Sequence, residues 1–494
     1  DASSAFLKYE DFSHYADYFN GMEDENIVQA IPNAKASEWM EENIPLFECP
    51  QHNFEEMYYY RWWSLRKHIK ETPVGYGMTE FLIQRSYSDK YNLIACAIGH
   101  HIYESRWLRD PKYLDQIIHT WYRGNDGGPM KKMDKFSSWN ADAILARYMV
   151  DGDKDFMLDM AKDLETEYQR WERTNRLKNG LYWQGDVQDG MEESISGGRK
   201  KKYARPTINS YMYGNAKALS LMGILSGNEG MAMKYGMRAD TLKSLVENDL
   251  WNTRHQFFET VRIDSSANVR EAIGYIPWYF NLPDTTKKYE VAWKEIMDEK
   301  GFSAPYGLTT AERRHPEFRT RGVGKCEWDG AIWPFASAQT LTAMANFMNN
   351  YPQTVLSDSV YFRQMELYVE SQYHRGRPYI GEYLDEVTGY WLKGDQERSR
   401  YYNHSTFNDL MITGLIGLRP RLDDTIEVNP LIPADKWDWF CLDNVLYHGH
   451  NLTILWDKNG DRYHCGKGLR VFVDGKEAGH ADTLTRLVCE NALK

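Results

Sequence analysis

Two acidic segments in matching surroundings lie far apart in this chain of 494 residues. The first, Asp189-Gly190-Met191-Glu192-Glu193-Ser194, follows a loop that contains Trp183. The second, Gly381-Glu382-Tyr383-Leu384-Asp385-Glu386-Val387-Thr388-Gly389-Tyr390, precedes Tyr402-Asn403-His404-Ser405-Thr406-Phe407. Both contain glycine and are flanked by aromatic residues. Two carboxyl groups delivered from distant loops are what cleavage of a glycosidic bond requires: one protonates the departing oxygen and the other activates water. Acidic residues are common, so the pairing, and neither segment alone, marks the chain as an enzyme.

The bulk composition narrows the partners. Charged residues make up 26% and the formal net charge is -12, which argues against nucleic acid or an anionic membrane. No apolar run approaches the length of a membrane span. With 17 Trp and 34 Tyr the chain is rich in flat faces, which suit sugar rings as well as a large core. An oligo- or polysaccharide is the expected partner; the sequence carries no signal for oligomeric state. Arg199-Lys200-Lys201-Lys202, beside the first acidic segment, reads as a solvated loop. His100 and His101 are neighbours on a helix and point to different faces, which is poor metal-ligand spacing. Gly322-Val323-Gly324-Lys325 lacks the glycine spacing and the Ser/Thr of a phosphate-binding loop. No metal or cofactor is expected. Six cysteines without CxxC spacing (Cys49, Cys96, Cys326, Cys441, Cys465 and Cys489) exclude a zinc ribbon and leave disulfides open.

The elements that must carry these loops are mostly helical from about residue 55 to 420. In the segment 91–102, Ile94, Ala97, Ile98 and Ile102 share one stripe, and similar stripes occupy 140–149, 155–177, 207–226, 231–250, 286–299, 331–349, 360–374 and 405–417. Short polar turns such as 226–230 alternate with longer Gly/Pro/aromatic loops. That alternation suits helical hairpins in a ring with the long loops at one mouth. After Leu418-Arg419-Pro420 the pattern turns to strands, in 425–430, 452–456 and 469–476. The expected organisation is an extended N-terminal packing segment over 1–50, a helical catalytic domain over 51–418 and a small β-sandwich-like domain over 419–494. Pro32, Pro45 and Pro50 interrupt the first segment.

The order of motifs resembles the (α/α)6-barrel glycosidases that include processing α-glucosidase, trehalase and mannosylglycerate hydrolase, over roughly residues 80–420. Four blocks carry the resemblance. Ser86-Tyr87-Ser88-Asp89 stands where that group has Trp-Asp, and the match implies that Asp89 binds sugar hydroxyls, although Ser88 replaces the Trp. Asn179-Gly180-Leu181-Tyr182-Trp183 through Gly190-Met191-Glu192-Glu193-Ser194 is similar to the Gly-Met-Asp-Asn-Ser segment that holds the general acid. It implies Glu192 in that role, with Asp186 and Asp189 as rivals. Glu327-Trp328-Asp329-Gly330-Ala331-Ile332-Trp333 resembles a pocket-lining Trp-Arg-Gly-Pro-Ile-Trp; Trp328 and Trp333 match, and Asp329 reverses the charge of the Arg. Glu382, with Tyr383 beside it and Asn403-His404-Ser405-Thr406-Phe407 following, matches the general base.

The resemblance implies an all-α (α/α)6 barrel, a six-hairpin toroid, with a small C-terminal β-rich domain, and an inverting, exo-acting glycoside hydrolase. Glu192 would donate a proton and Glu382 would hold water about 6.5–9.5 Å away. Asp89, Asp189, Trp328, Asp329, Trp333 and Tyr383 would position the sugar. Two alternatives stand beside this. An α/α-barrel polysaccharide lyase would draw on Tyr211, His404 and Arg400; a glycan-binding protein would keep the barrel without turnover. The chain opens at Asp1 and not Met, which reads as the trace of a removed leader or tag, and the expected location is periplasmic or secreted.

Overall fold

A computed structural model describes residues 6–494. Its helical body alternates outer and inner helices. The outer elements are His52–Arg66, Lys112–Arg123, Ala161–Asn175, Glu229–Leu245, the 3-10 segment Val291–Ile296 and Asp358–Ser371. Each leads through a long loop into an inner element: Ile98–Ser105, Asn140–Asp151, Pro206–Ser226, Ile276–Tyr279, Pro334–Asn350, and Asn408–Leu410 running on through Met411–Leu415. Each inner element packs against the next, and the last returns to the first. This closed ring is an (α/α)6 barrel.

Local chemistry explains where the inner helices start and stop. Pro206 and Pro334 sit in the first turn of theirs, where a missing N–H costs nothing. Gly227, left-handed at φ 74, ends the Pro206–Ser226 helix. Buried residues occur all round Pro206–Ser226 and Pro334–Asn350, as a helix enclosed by neighbours requires. Lys112–Arg123 instead buries Tyr113, Leu114, Ile117, Ile118 and Trp121 and leaves its charged face to water.

The apolar stripe of 91–102 is only partly helical. Tyr91 and Asn92 take positive φ and the α-helix starts at Ile98. Asn92 instead donates its side-chain amide to the carbonyls of Phe81 and Ile83, and that turn overrides the periodicity.

The C-terminal region is a five-stranded antiparallel sheet with a two-stranded ladder, Ile426–Val428 against Leu487–Cys489, beside it. The sheet's spatial order is Leu46–Glu48, Trp439–Tyr447, His450–Asp457, Gly468–Val473 and Lys476–Ala481. Its edge strand therefore comes from the first fifty residues, which also form the helices Ser13–Asn20 and Asn33–Asn43. The expectation of an extended packing segment there is corrected: both helices are short, and Leu46 pairs with Asp443, a contact no sequence window contains. Asp443 also accepts the backbone N–H groups of Phe6 and Leu7 at 2.9 Å. Two-residue turns at His448-Gly449 and Asp474-Gly475, all at positive φ, close two of the hairpins. The six cysteines are unpaired.

Gly417 joins barrel to sheet at φ +88, and a Cβ there would lie 2.1 Å from the Asn429 carbonyl oxygen. Gly417→Ala is expected to lower stability by about 2 kcal/mol or more, since left-handed strain alone costs ~1–2 kcal/mol and the clash is with backbone. Thermal unfolding measures the loss.

Candidate active site

In a ring of outer-then-inner hairpins the inner helices all run the same way, so the loops that lead into them meet at one mouth. Rings at and near the starts of these helices pack against one another. His100 lies 4.9 Å from Trp139 and 4.6 Å from Phe335, Trp139 lies 4.9 Å from Tyr211, and Phe335 lies 5.9 Å from His404, measured between centroids. A Cβ on Gly99 would come within 2.1 Å of the Trp139 ring. Burial holds His100 down to about 3 and His404 well below its ordinary value, so both imidazoles are neutral.

Glu192 sits on a tightly folded loop. Val187–Asp189 forms a 3-10 turn ended by Gly190 at φ 73, and Met191 donates its N–H to the Asp186 carbonyl at 2.9 Å. Met191 is fully buried and anchors the loop beneath Glu192. Burial lifts the Glu192 carboxyl to about 7, and the charges of Glu382 and Asp186 push the same way.

Glu382 comes from an extended segment pinned on both sides. Leu384 exchanges backbone hydrogen bonds with Ile332 at 2.9 and 3.0 Å, and Leu392 donates to the Tyr383 carbonyl at 3.1 Å. His404 Nε2 contacts the Glu382 carbonyl at 3.2 Å. The Glu382 carboxylate accepts the Tyr402 hydroxyl at 2.8 Å, pairs with Lys393 at 3.4 Å and faces Arg398 at 4.0 Å. Cys326 reports the convergence: burial raises its thiol to about 12, with Glu192 and Glu382 adding to the rise and Lys393 and Arg398 opposing it. A third carboxyl belongs to this group. Glu80 is buried and raised to about 8, chiefly by burial, with Glu382 and Glu192 contributing.

The structure therefore brings Glu192 and Glu382 into each other's field. Trp328, Trp333 and Tyr383 also come together, as one continuous stack with 4.6 Å between successive centroids. All three are buried, so they form a wall and not an open platform. The remaining acids have other uses. Asp189 is fully buried and accepts Arg205 Nε at 2.7 Å, Thr207 Oγ1 at 2.6 Å and Ser137 Oγ at 2.6 Å. It ties the Glu192 loop to the entry of two inner helices. Asp329, also buried, accepts the N–H groups of Arg321 and Gly322 at 2.7 and 2.8 Å and shapes that loop. Asp89 accepts the N–H groups of Lys90 and Lys132 at 2.7 and 2.5 Å. All three therefore hold loops in place: Asp189 and Asp89 accept protein donors on both carboxylate oxygens, and Asp329 does so on Oδ2 alone.

The lyase set does not converge. Tyr211 is buried under Gln339, which donates to its hydroxyl at 2.8 Å, and Arg400 pairs with Glu23 at 2.8 Å in a separate cleft of about 360 Å³. Sequence reasoning missed Glu80, Lys393 and Arg398, which lie in no recognisable motif; only their contacts mark them.

A ring of six helical hairpins with paired carboxyls at its mouth is the architecture of a glycosidase. The chain belongs to the mannosylglycerate hydrolase MGH1-like glycoside hydrolase family, whose domain model matches residues 90–405. Residues 418–480 match the C-terminal domain of glycosyl hydrolase family 65. Among solved structures, the GH63 mannosylglycerate hydrolase from Thermus thermophilus in complex with glucose aligns over 72% of this chain and 99% of its own, with 12% identity and a TM-score of 0.53. The GH78 rhamnosidase of Bacillus sp. GL1 aligns over 84% of this chain and 40% of its own, with 11% identity and a TM-score of 0.56. A solved chain named sialidase is 97% identical over 99% of this chain, with a TM-score of 0.99. This chain spans 45% of the length of that one.

Asp189 and Arg205 test the positioning role. Asp189→Asn removes the carboxylate paired directly with a buried guanidinium and is expected to cost ~3–5 kcal/mol of stability. Adding Arg205→Met should recover part of the loss in chemical denaturation. A purely ligand-binding Asp189 would leave stability unchanged.

Proposed function

We propose that this domain removes a terminal sugar from an oligo- or polysaccharide by an inverting displacement. Glu192 is the general acid: burial and two neighbouring carboxylates favour its neutral form, so that it carries a proton to the leaving oxygen. Glu382 is the general base. Lys393, Arg398 and the Tyr402 hydroxyl surround it with positive charge and a donor, an environment that suits an anion able to hold water. The observation that carries the reading is this contrast between two carboxyls facing one mouth: one is pushed toward neutrality, and the other is met by two cations. The stack of Trp333 on Tyr383 stiffens the wall beside Glu382.

The sialidase named above is more than twice the length of this chain, so its activity belongs to this domain only if the domain alone cleaves sialosides. The experiment is a panel of plant and host glycans, sialosides included, incubated with the purified domain and followed by chromatography. Release by the parent and a ~10²–10⁴-fold loss in Glu382→Gln is expected, the usual worth of a general base. Equal release by both would move the base elsewhere. Proton NMR of the first product should show the anomer opposite to the substrate's; the same anomer would establish retention.

The pH dependence follows from Glu192. An acid catalyst must be protonated, so kcat/KM is expected to fall as pH rises through about 7. Glu192→Gln should remove that limb together with most of the rate on substrates whose leaving group needs protonation. Aryl glycosides with acidic leaving groups should be spared by comparison.

A further inference from the structure

The Tyr402 hydroxyl stands between two carboxyls. Its oxygen lies 2.8 Å from Oε2 of Glu382 and 3.1 Å from Oε2 of Glu80. A phenol has one proton to give, and an ionised carboxylate only accepts. Both contacts are hydrogen bonds only if one of the two acids keeps its proton and donates it to the phenol oxygen. The cations decide which. Lys393 and Arg398 face Glu382. Glu80 is faced instead by the Cys96 thiol, which donates to Oε1 at 3.3 Å, by Tyr402, by Tyr87, and by the acids Glu382 and Glu192. A second anion in that company would be repelled by the first.

The backbone holds the pair in this relation. Asn403 donates its N–H to the Glu80 carbonyl at 3.0 Å and its side-chain amide to the Thr79 carbonyl at 3.0 Å. The Phe81 ring packs edge-on against Tyr402 with 4.5 Å between centroids, which prevents the phenol from swinging away.

We propose that Glu80 is a positioning residue: held as a neutral acid, it donates to Tyr402, which in turn donates to Glu382 and aims that carboxylate. The inference rests on the reading of Glu382 as the base. It adds a third acid, delivered from the loop that enters Ile98–Ser105. No proton is consumed, because the relay orients and does not transfer. Burial raises Glu80 to about 8, so the relay is intact at neutral pH. Above that value two anions would flank one phenolic proton and one of the two hydrogen bonds would be lost.

Infrared difference spectroscopy of the chain without substrate tests this. At a pH well below 8, the parent-minus-Glu80→Gln spectrum should contain the carbonyl band of a protonated carboxyl. Tyr402→Phe should shift that band to higher frequency, because the acid loses its acceptor. Loss of carboxylate bands in place of the carbonyl band, or a carbonyl band that Tyr402→Phe does not move, would overturn the proposal. If Glu80→Gln does not fold, Tyr402→Phe leaves every buried carboxyl in place and decides alone. The readout needs no turnover, so a negative result leaves Glu382 as base standing, whereas failure of the glycan experiment with the band present removes the base and keeps the hydrogen-bonded acid.

Discussion

Close packing of the six inner helices is the constraint that governs everything else in the molecule. Gly99 is within 2.1 Å of the Trp139 ring by its would-be Cβ, and Gly214 is within 2.3 Å of Phe280 in the same sense. Helices that approach this closely leave little room between them, and several polar groups inside the barrel bond to the protein. Glu104 does so by accepting the N–H groups of Phe407, Asn408 and Asp409 and capping the last inner helix. Arg106 does so by pairing with Asp409 at 2.8 Å. Chemistry that needs solvent and substrate is thereby displaced to the loops at the mouth, and the ring geometry brings loops hundreds of residues apart to one place.

Within the mouth, low polarity separates carboxyls that would otherwise behave alike. Burial disfavours charge, so an acid without a cation drifts toward its neutral form, while one that meets cations and a hydroxyl donor keeps its charge. Glu80 and Glu192 are pushed toward the neutral form chiefly by burial, whereas Glu382 meets Lys393, Arg398 and the Tyr402 hydroxyl. The buried Asp189–Arg205 pair differs again. Its charges satisfy each other, and its consequence is mechanical: it fixes the loop that presents Glu192.

The sheet stiffens the barrel from outside. Its edge strand, Leu46–Glu48, immediately precedes the first outer helix, and His448 donates its N–H to the Val150 carbonyl at 2.7 Å at the end of an inner helix. The N-terminal segment, barrel and sheet are therefore interlocked by hydrogen bonds between residues at opposite ends of the chain.

The helical ring and its β-rich end were legible in the sequence, because apolar periodicity, Pro in the first turn and Gly past the last are local properties. Glu192, Glu382, Trp328 and Trp333 were singled out by resemblance to the (α/α)6-barrel glycosidases, and the structure stacks both Trp rings with Tyr383. What surrounds each acid came from tertiary contacts alone. Asp89, Asp189 and Asp329 look like Glu192 in sequence, yet backbone N–H groups, hydroxyls and Arg205 occupy them. Glu80 lies in an unremarked stretch and gains its place from Tyr402, more than three hundred residues away. A carboxyl's role is a property of its partners and of the water it has lost, and neither is written next to it in the chain.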